Sequence, residues 1–309
     1  MTMVVLALDA LDTALVEHYD IETYRLDGWT QMETVAHQFE HPFTPEAWAT
    51  VATGLHPTEH GVTEEGTSSW DNPVIDFASQ FVGHLGVHTR AKLGNAITAV
   101  TGEEYTVGTT DTPTVFDPGY AVVHNWPGVA NGDELRKCWQ ITDGDPPKEQ
   151  FERELLGMGA QQFGWAREMT DHPIALAGVH VHTVDMASHA YGDQEAELHR
   201  LYEWVAERVA EIREALGPDD HLLVLSDHGS YTSFLDPGEV PGKHAFRAFA
   251  STTHPDDPPE SVFEVKEWIE ERIDTGAVQE SLSCSVGRSS SDSRTAPVSI
   301  RSSIHSFTS

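Results

Sequence analysis

Three short apolar runs in this chain end on an aspartate. VVLAL leads to Asp9, IALAGVHVHTV leads to Asp185, and HLLVL leads, through Ser226, to Asp227 with His228 beside it. Short continuous apolar runs read as strands buried on both faces, and such strands belong to largely parallel sheets covered by helices. In open α/β sheets, ligands gather outside the carboxyl ends of the strands. Three strand exits bearing Asp, with His189 four residues after Asp185, therefore form a metal-ligand pattern rather than three unrelated acids. Asp9 has a second reading, as a cap for a following helix.

Between these runs the periodicity changes. Residues 45–54 read as a helix, with Thr44 as its N-cap and Pro45 at the first helical position, where a missing N–H costs nothing. Residues 149–169 read as a helix with Phe151, Leu155, Phe163 and Trp165 as core candidates. Residues 194–216 carry Leu198, Leu201, Val205, Val209, Ile212 and Leu216 at spacings of three and four, and Gly217-Pro218 stops them. Further strands are expected at 120–124 and 245–251, and a last helix at 259–273. Alternating strands and helices predict an α/β fold, a three-layer α/β/α sandwich on a mostly parallel central sheet. Residues 63–118, rich in Gly, Thr and Asp, are expected to form an insertion or lid. Residues 276–309 are serine-rich, slightly basic and aperiodic, which predicts a disordered tail and is the composition of a frameshifted or read-through terminus.

The formal net charge is −32, with the acids dispersed and lysine confined to Lys92, Lys137, Lys148, Lys243 and Lys266. Such a surface repels nucleic acid and anionic membranes, and it suits concentrated salt, where screening cancels self-repulsion: a halophilic composition. No run is long enough to span a membrane, and MTMVVLALDALD lacks a basic start, so it reads as a first strand rather than a leader. Cys138 and Cys284 form no motif; no disulfide and a cytoplasmic location are expected.

One segment is specific. In HPFTPEAWATVATGLHPTEHGV, Thr44 at a helix start is followed by Thr53-Gly54 nine residues on and then by Pro57-x-x-His60-Gly61. Here the chain resembles the alkaline phosphatase superfamily, in particular its type I phosphodiesterase/nucleotide pyrophosphatase-like branch, whose nucleophile stands nine residues before a Thr-Gly pair. The resemblance continues in family order over residues 3–275: a first-strand Asp (Asp9), D-x-x-x-H (Asp185 and His189), S-D-H-G (Ser226 to Gly229) and a late G-x-H (His244).

The resemblance implies one alkaline phosphatase-like catalytic domain over residues 1–275, with Thr44 as nucleophile and two divalent metal ions. One ion would take Asp9, Asp227, His228 and the Thr44 oxygen; the other would take Asp185, His189 and His244. An N/O donor set without cysteine favours Zn²⁺, with Mn²⁺ an alternative. The implied activity is hydrolysis of a small-molecule phosphate ester through phosphothreonine. A phosphomutase or phosphotransferase of the same superfamily and a non-catalytic metal-stabilised binding protein are the competing readings. Proline stands one residue after Thr44 where the family has it two after, and Ala47 stands where nucleotide pyrophosphatases carry Asn; the second argues against classical nucleotide specificity. No arginine neighbours Thr44, which favours diesters over monoesters; Arg247 reads first as a surface or strand-end residue and second as a candidate substrate contact. His60 is expected to fix a turn near Thr44, and His180 and His182 to pack or hydrogen-bond within their strand.

Overall fold

A computed structural model describes residues 1–63, 68–69, 106–130, 133–142 and 146–273. The expected tail at 276–309 and most of the expected insertion at 63–118 lie outside the described residues, as does Cys284.

The central sheet has six strands in the order β2-β10-β7-β1-β6-β5: β1 (Met3–Leu8), β2 (Gly28–Met32), β5 (Ala121–His124), β6 (Leu176–Val181), β7 (His221–Leu225) and β10 (Ala248–Thr252). Two-residue strands β3 (Ser68–Ser69) and β4 (Thr106–Val107) pair with each other, as do β8 (Gly229–Ser230) and β9 (His244–Ala245). Strands β7, β1, β6 and β5 run parallel, and β10 is antiparallel to both β7 and β2.

Strand β1 is buried along its whole length because both of its faces are covered. Val4, Leu6 and Leu8 point to one core, with residues of α1 (Thr13–Tyr19), α5 (Lys148–Met169), α6 (Thr183–Tyr191) and α7 (Glu195–Ala215). Met3, Val5 and Ala7 point to the other, with residues of α2 (Thr44–Thr53) and α8 (Val265–Arg272). Alternation within one apolar run thus builds the three layers. Two short helices, α3 (Pro57–His60) and α4 (Asp133–Gln140), complete the described set, with a 3₁₀ turn at Glu22–Arg25.

This topology positions the site. Leu8 pairs with Val181 and Ala7 with Leu225, so β6, β1 and β7 end side by side at one edge of the sheet. Neighbouring strands lie about 4.8 Å apart, so residues just beyond those ends can touch.

Several expectations change at element boundaries. Phe43, in extended conformation, is the N-cap of α2, and Thr44 is its first helical residue, because the Phe43 carbonyl accepts the first helical bond from Ala47 N at 3.0 Å. Asp12, not Asp9, caps α1, accepting from Ala14 N at 2.7 Å and Leu15 N at 3.1 Å. The strand expected at 245–251 is two strands, β9 and β10, and the last helix starts at Val265 rather than 259. Among the described residues, no helix is long and apolar enough to cross a membrane.

Candidate active site

At the exit of β1 the chain turns sharply. Ala10 has φ 59°, a left-handed conformation that costs a non-glycine residue roughly 1 kcal/mol or more. The turn leaves Asp9 fully buried at the sheet edge, its N–H bonded to the Val181 carbonyl at 3.1 Å. At the exit of β7, Ser226 donates its hydroxyl to the Leu11 carbonyl at 2.7 Å, which fixes Asp227 and His228 beside Asp9. The glycine that follows is required by space: a Cβ on Gly229 would lie 2.1 Å from Asp12 Oδ2.

Thr44 Oγ1 lies 3.2 Å from His228 Nε2. The same nitrogen is 3.3 Å from Asp9 Oδ1 and 3.5 Å from Asp227 Oδ2. His228 Nδ1 donates to the Gly229 carbonyl at 3.0 Å, so the backbone fixes which nitrogen faces Thr44. His244 repeats the arrangement. Its Nδ1 donates to the Pro42 carbonyl at 2.9 Å, and its Nε2 lies 3.6 Å from Asp185 Oδ1. His189 Nε2 is 3.4 Å from that same oxygen, and the His228 and His244 rings stack at 3.7 Å. Thr44, Asp9, Asp227, His228, His244, Asp185 and His189, drawn from five separate stretches of chain, thus form one connected cluster.

Two residues expected only to pack or hydrogen-bond belong to it. His180 Nε2 is 3.0 Å and His182 Nδ1 2.5 Å from Asp9 Oδ2, and His182 Nε2 is 3.2 Å from Asp185 Oδ2. The signal for them was burial at the end of an apolar run, His180 within β6 and His182 one residue past it, where an imidazole needs a polar partner. Trp139 on α4 lies at the rim: 44% exposed, with its ring 5.2 Å from that of His189.

Arg247, a candidate substrate contact, is instead held by the protein. Its Nε donates to Asp12 at 2.8 Å, one terminal nitrogen to Asp236 at 2.7 Å, and the other to the Ser230 carbonyl at 2.9 Å and Asp236 at 3.0 Å. Buried Asp12 needs that positive charge, and the guanidinium has no nitrogen left over.

The electrostatics of the cluster are those of crowded buried carboxylates. Burial together with the charges of Asp9 and Asp185 pushes the Asp227 carboxyl well above its usual range. Burial also opposes ionisation of Asp9, but the charge on His182 and hydrogen bonds from His180, His182 and His228 more than offset it and hold that carboxyl well below. Burial would lower His228, yet Asp227 and Asp9 raise it to about 10. Burial and the charge on His228 bring His244 down to about 3.

The donor set fits divalent metal. Ligand atoms of Asp185, His189 and His244 lie within 4.8 Å of one another, as do those of Asp9, Asp185 and His228, and of Asp9, His180 and His182. Asp9 Oδ1, both oxygens of Asp185 and Asp227 Oδ2 are buried without a well-formed hydrogen bond, meeting only imidazole nitrogens at ion-pair distances of 3.2 to 3.6 Å. A carboxylate oxygen buried without such a bond costs several kcal/mol, and a bound cation removes that cost.

A mostly parallel α/β/α sandwich with an Asp/His cluster and one hydroxyl at its strand ends has a donor set able to hold metal. The family model for type I phosphodiesterase/nucleotide pyrophosphatase matches residues 3–240, and the chain belongs to that family. It is a phosphoric ester hydrolase. His244 lies just beyond the matched stretch and enters the site through the β8–β9 pairing. No curated protein matches the chain. Among solved structures, the PH0037 protein from Pyrococcus horikoshii shares the fold at TM-score 0.50 and 9% identity, over 87% of this chain and 96% of that one. Alkaline phosphatase from the Antarctic bacterium TAB5 is similar at TM-score 0.45 and 10% identity, over 87% and 96%. Murine ectonucleotide pyrophosphatase/phosphodiesterase 5 is similar at TM-score 0.37 and 14% identity, over 75% of this chain and 58% of that one.

Proposed function

We propose that this hydrolase is a phosphodiesterase that uses Thr44 as its nucleophile and two divalent ions, preferentially Zn²⁺. The observation that carries the reading is the placement of Thr44 Oγ1 3.2 Å from His228 Nε2, inside a cluster of buried carboxylates and imidazoles. Asp9, Asp227 and His228, with the Thr44 oxygen, would hold one ion; Asp185, His189 and His244 would hold the other. Bound there, the ions would lower the hydroxyl pKa and neutralise phosphoryl oxygens.

The residues of the chain do the rest. Thr44 opens α2, so the positive end of the helix dipole faces the phosphoryl group. Thr44 Oγ1 bonds to phosphorus, the bond to the first alcohol breaks, and the hydroxyl proton leaves with that alcohol. Water then attacks phosphorus, the Thr44 ester breaks, and the hydroxyl is restored as the monoester departs. Because Arg247 is fully engaged by Asp12, Asp236 and Ser230, it offers no clamp for a second phosphoryl charge, which favours monoanionic diesters. The exposed indole of Trp139 offers an apolar face to the leaving group beside His189. The dispersed acidity is read as adaptation to concentrated salt in a cytoplasmic, halophilic protein.

The test is turnover of bis-p-nitrophenyl phosphate against p-nitrophenyl phosphate in molar salt, with and without EDTA. The reading expects faster diester cleavage that EDTA abolishes. Undiminished activity in EDTA, or monoester-only cleavage, would overturn it.

A further inference from the structure

His182 is the residue between the end of β6 and α6, and its side chain is 1% exposed. Parallel pairing of Leu8 with Val181 brings it alongside Asp9, and one helical turn brings Asp185 to its other side. Its two ring nitrogens face the two carboxylates that anchor the two ligand groups: Nδ1 is in hydrogen-bond contact with Asp9 at 2.5 Å, and Nε2, which makes no hydrogen bond, lies at an ion-pair distance of 3.2 Å from Asp185. We infer that His182 is a positioning residue, a bridge that fixes the separation and orientation of Asp9 and Asp185 and so sets the two metal sites in register. The inference rests on the two-metal reading above.

Geometry decides between this and a ligand role. Two ligands of one tetrahedral zinc, each about 2.0–2.1 Å from the ion, stand roughly 3.3 Å apart. His182 Nδ1 and Asp9 Oδ2 are at 2.5 Å, a hydrogen-bond spacing. His180 converges on that same oxygen at 3.0 Å, so Oδ2 is taken by two imidazoles, while Oδ1 faces the proposed ligand His228 at 3.3 Å, where the two could share an ion. Partners that orient metal ligands in this way are worth about 10–100-fold in metal affinity.

The bridge makes a crossed prediction. In His182→Asn the side-chain amide sits where Nδ1 was and can still reach Asp9; in His182→Gln it sits where Nε2 was and can still reach Asp185. Each variant is made in two backgrounds: His189→Ala, which isolates the Asp9 group, and His228→Ala, which isolates the Asp185 group. Zn²⁺ titration of the stripped proteins then reads one site at a time. In the His189→Ala background, Gln should weaken binding about 10–100-fold and Asn by less than about threefold. In the His228→Ala background the order should reverse. Equal losses in both variants, or none, would overturn the bridge while leaving the two-metal reading intact. Wild-type protein that binds no Zn²⁺ would remove both. A measurement that needs no substitution at this buried site guards against misfolded variants. In nitrogen-labelled wild-type protein loaded with NMR-active cadmium, ring nitrogens of His189, His228 and His244 should couple to the metal and those of His182 should not. Coupling to His182 would make it a ligand and overturn the proposal.

Discussion

Thr44 Oγ1 and His228 Nε2 stand 3.2 Å apart across 184 residues of chain. Neither residue is held by chance. Thr44 is fixed by the start of a buried helix packed on one face of the sheet, and His228 by a strand exit and a backbone carbonyl. That contact places the one hydroxyl singled out by the sequence inside the carboxylate–imidazole cluster, and the proposed reaction course rests on it.

Two successive in-line displacements, the first by Thr44 and the second by water, invert phosphorus twice. A chiral phosphorothioate diester hydrolysed in isotopically labelled water should therefore give a product of retained configuration. Inversion would mean that water attacks the diester directly and that Thr44 carries no covalent intermediate.

Arg247 should matter to stability rather than to substrate. Arg247→Met leaves buried Asp12 without its ion pair, a loss of about 3–5 kcal/mol. Denaturant unfolding should show that loss, while KM for bis-p-nitrophenyl phosphate in the folded fraction stays within about twofold. A stable variant with a strongly raised KM would return Arg247 to the substrate site. Lysine, which lacks the planar fork that spans Asp12, Asp236 and Ser230, should rescue only part of the stability.

His60 should make the fold acid-sensitive. Burial lowers it to about 4 from an ordinary 6.5; its Nδ1 accepts the Val62 N–H at 3.1 Å and its Nε2 meets Thr50 Oγ1 at 3.0 Å, an arrangement of the neutral ring. The folded state binds this proton more weakly than the unfolded state. The associated stability is therefore complete above about pH 6.5 and is lost as pH falls towards 4, by up to about 3 kcal/mol. Unfolding free energies between pH 7 and pH 4.5 should fall less steeply in His60→Gln than in wild type. Parallel slopes would contradict the assignment.

The sheet was legible where burial is complete and hidden where it is not. Strands β1, β6 and β7 are continuous apolar runs because both faces are covered; β1 and β7 fall within one residue of their expected ends, while β6 stops at Val181, three residues before the expected end. Strand β2, GWTQM at an edge, has no such pattern since only Met32 is buried, and it went unrecognised. The expected last helix began too early because residues 259–264 carry helical amphipathicity without a helix start; the first turn forms at Val265. In the site, Asp9, Asp185 with His189, and Asp227 with His228 stood out because they follow apolar runs, whereas Thr44 and His244 stood out only through the motif order of the resembled family. His180 and His182 did not, since alternation along a strand looks the same for a packed ring and for a ring that orients a ligand. Only parallel pairing with β1, a non-local fact, brings them to Asp9. Arg247 was open in sequence between a strand-end role and a substrate contact; Asp12 and Asp236, distant in sequence, claim it in space.

The most direct test is Thr44→Ala, assayed for turnover of bis-p-nitrophenyl phosphate and for bound metal in the same preparation. The account predicts a loss of at least about 10³-fold in kcat with metal content unchanged, because the substitution removes the nucleophile and leaves the aspartate and histidine ligands in place. Wild-type turnover in the metal-loaded variant would contradict it.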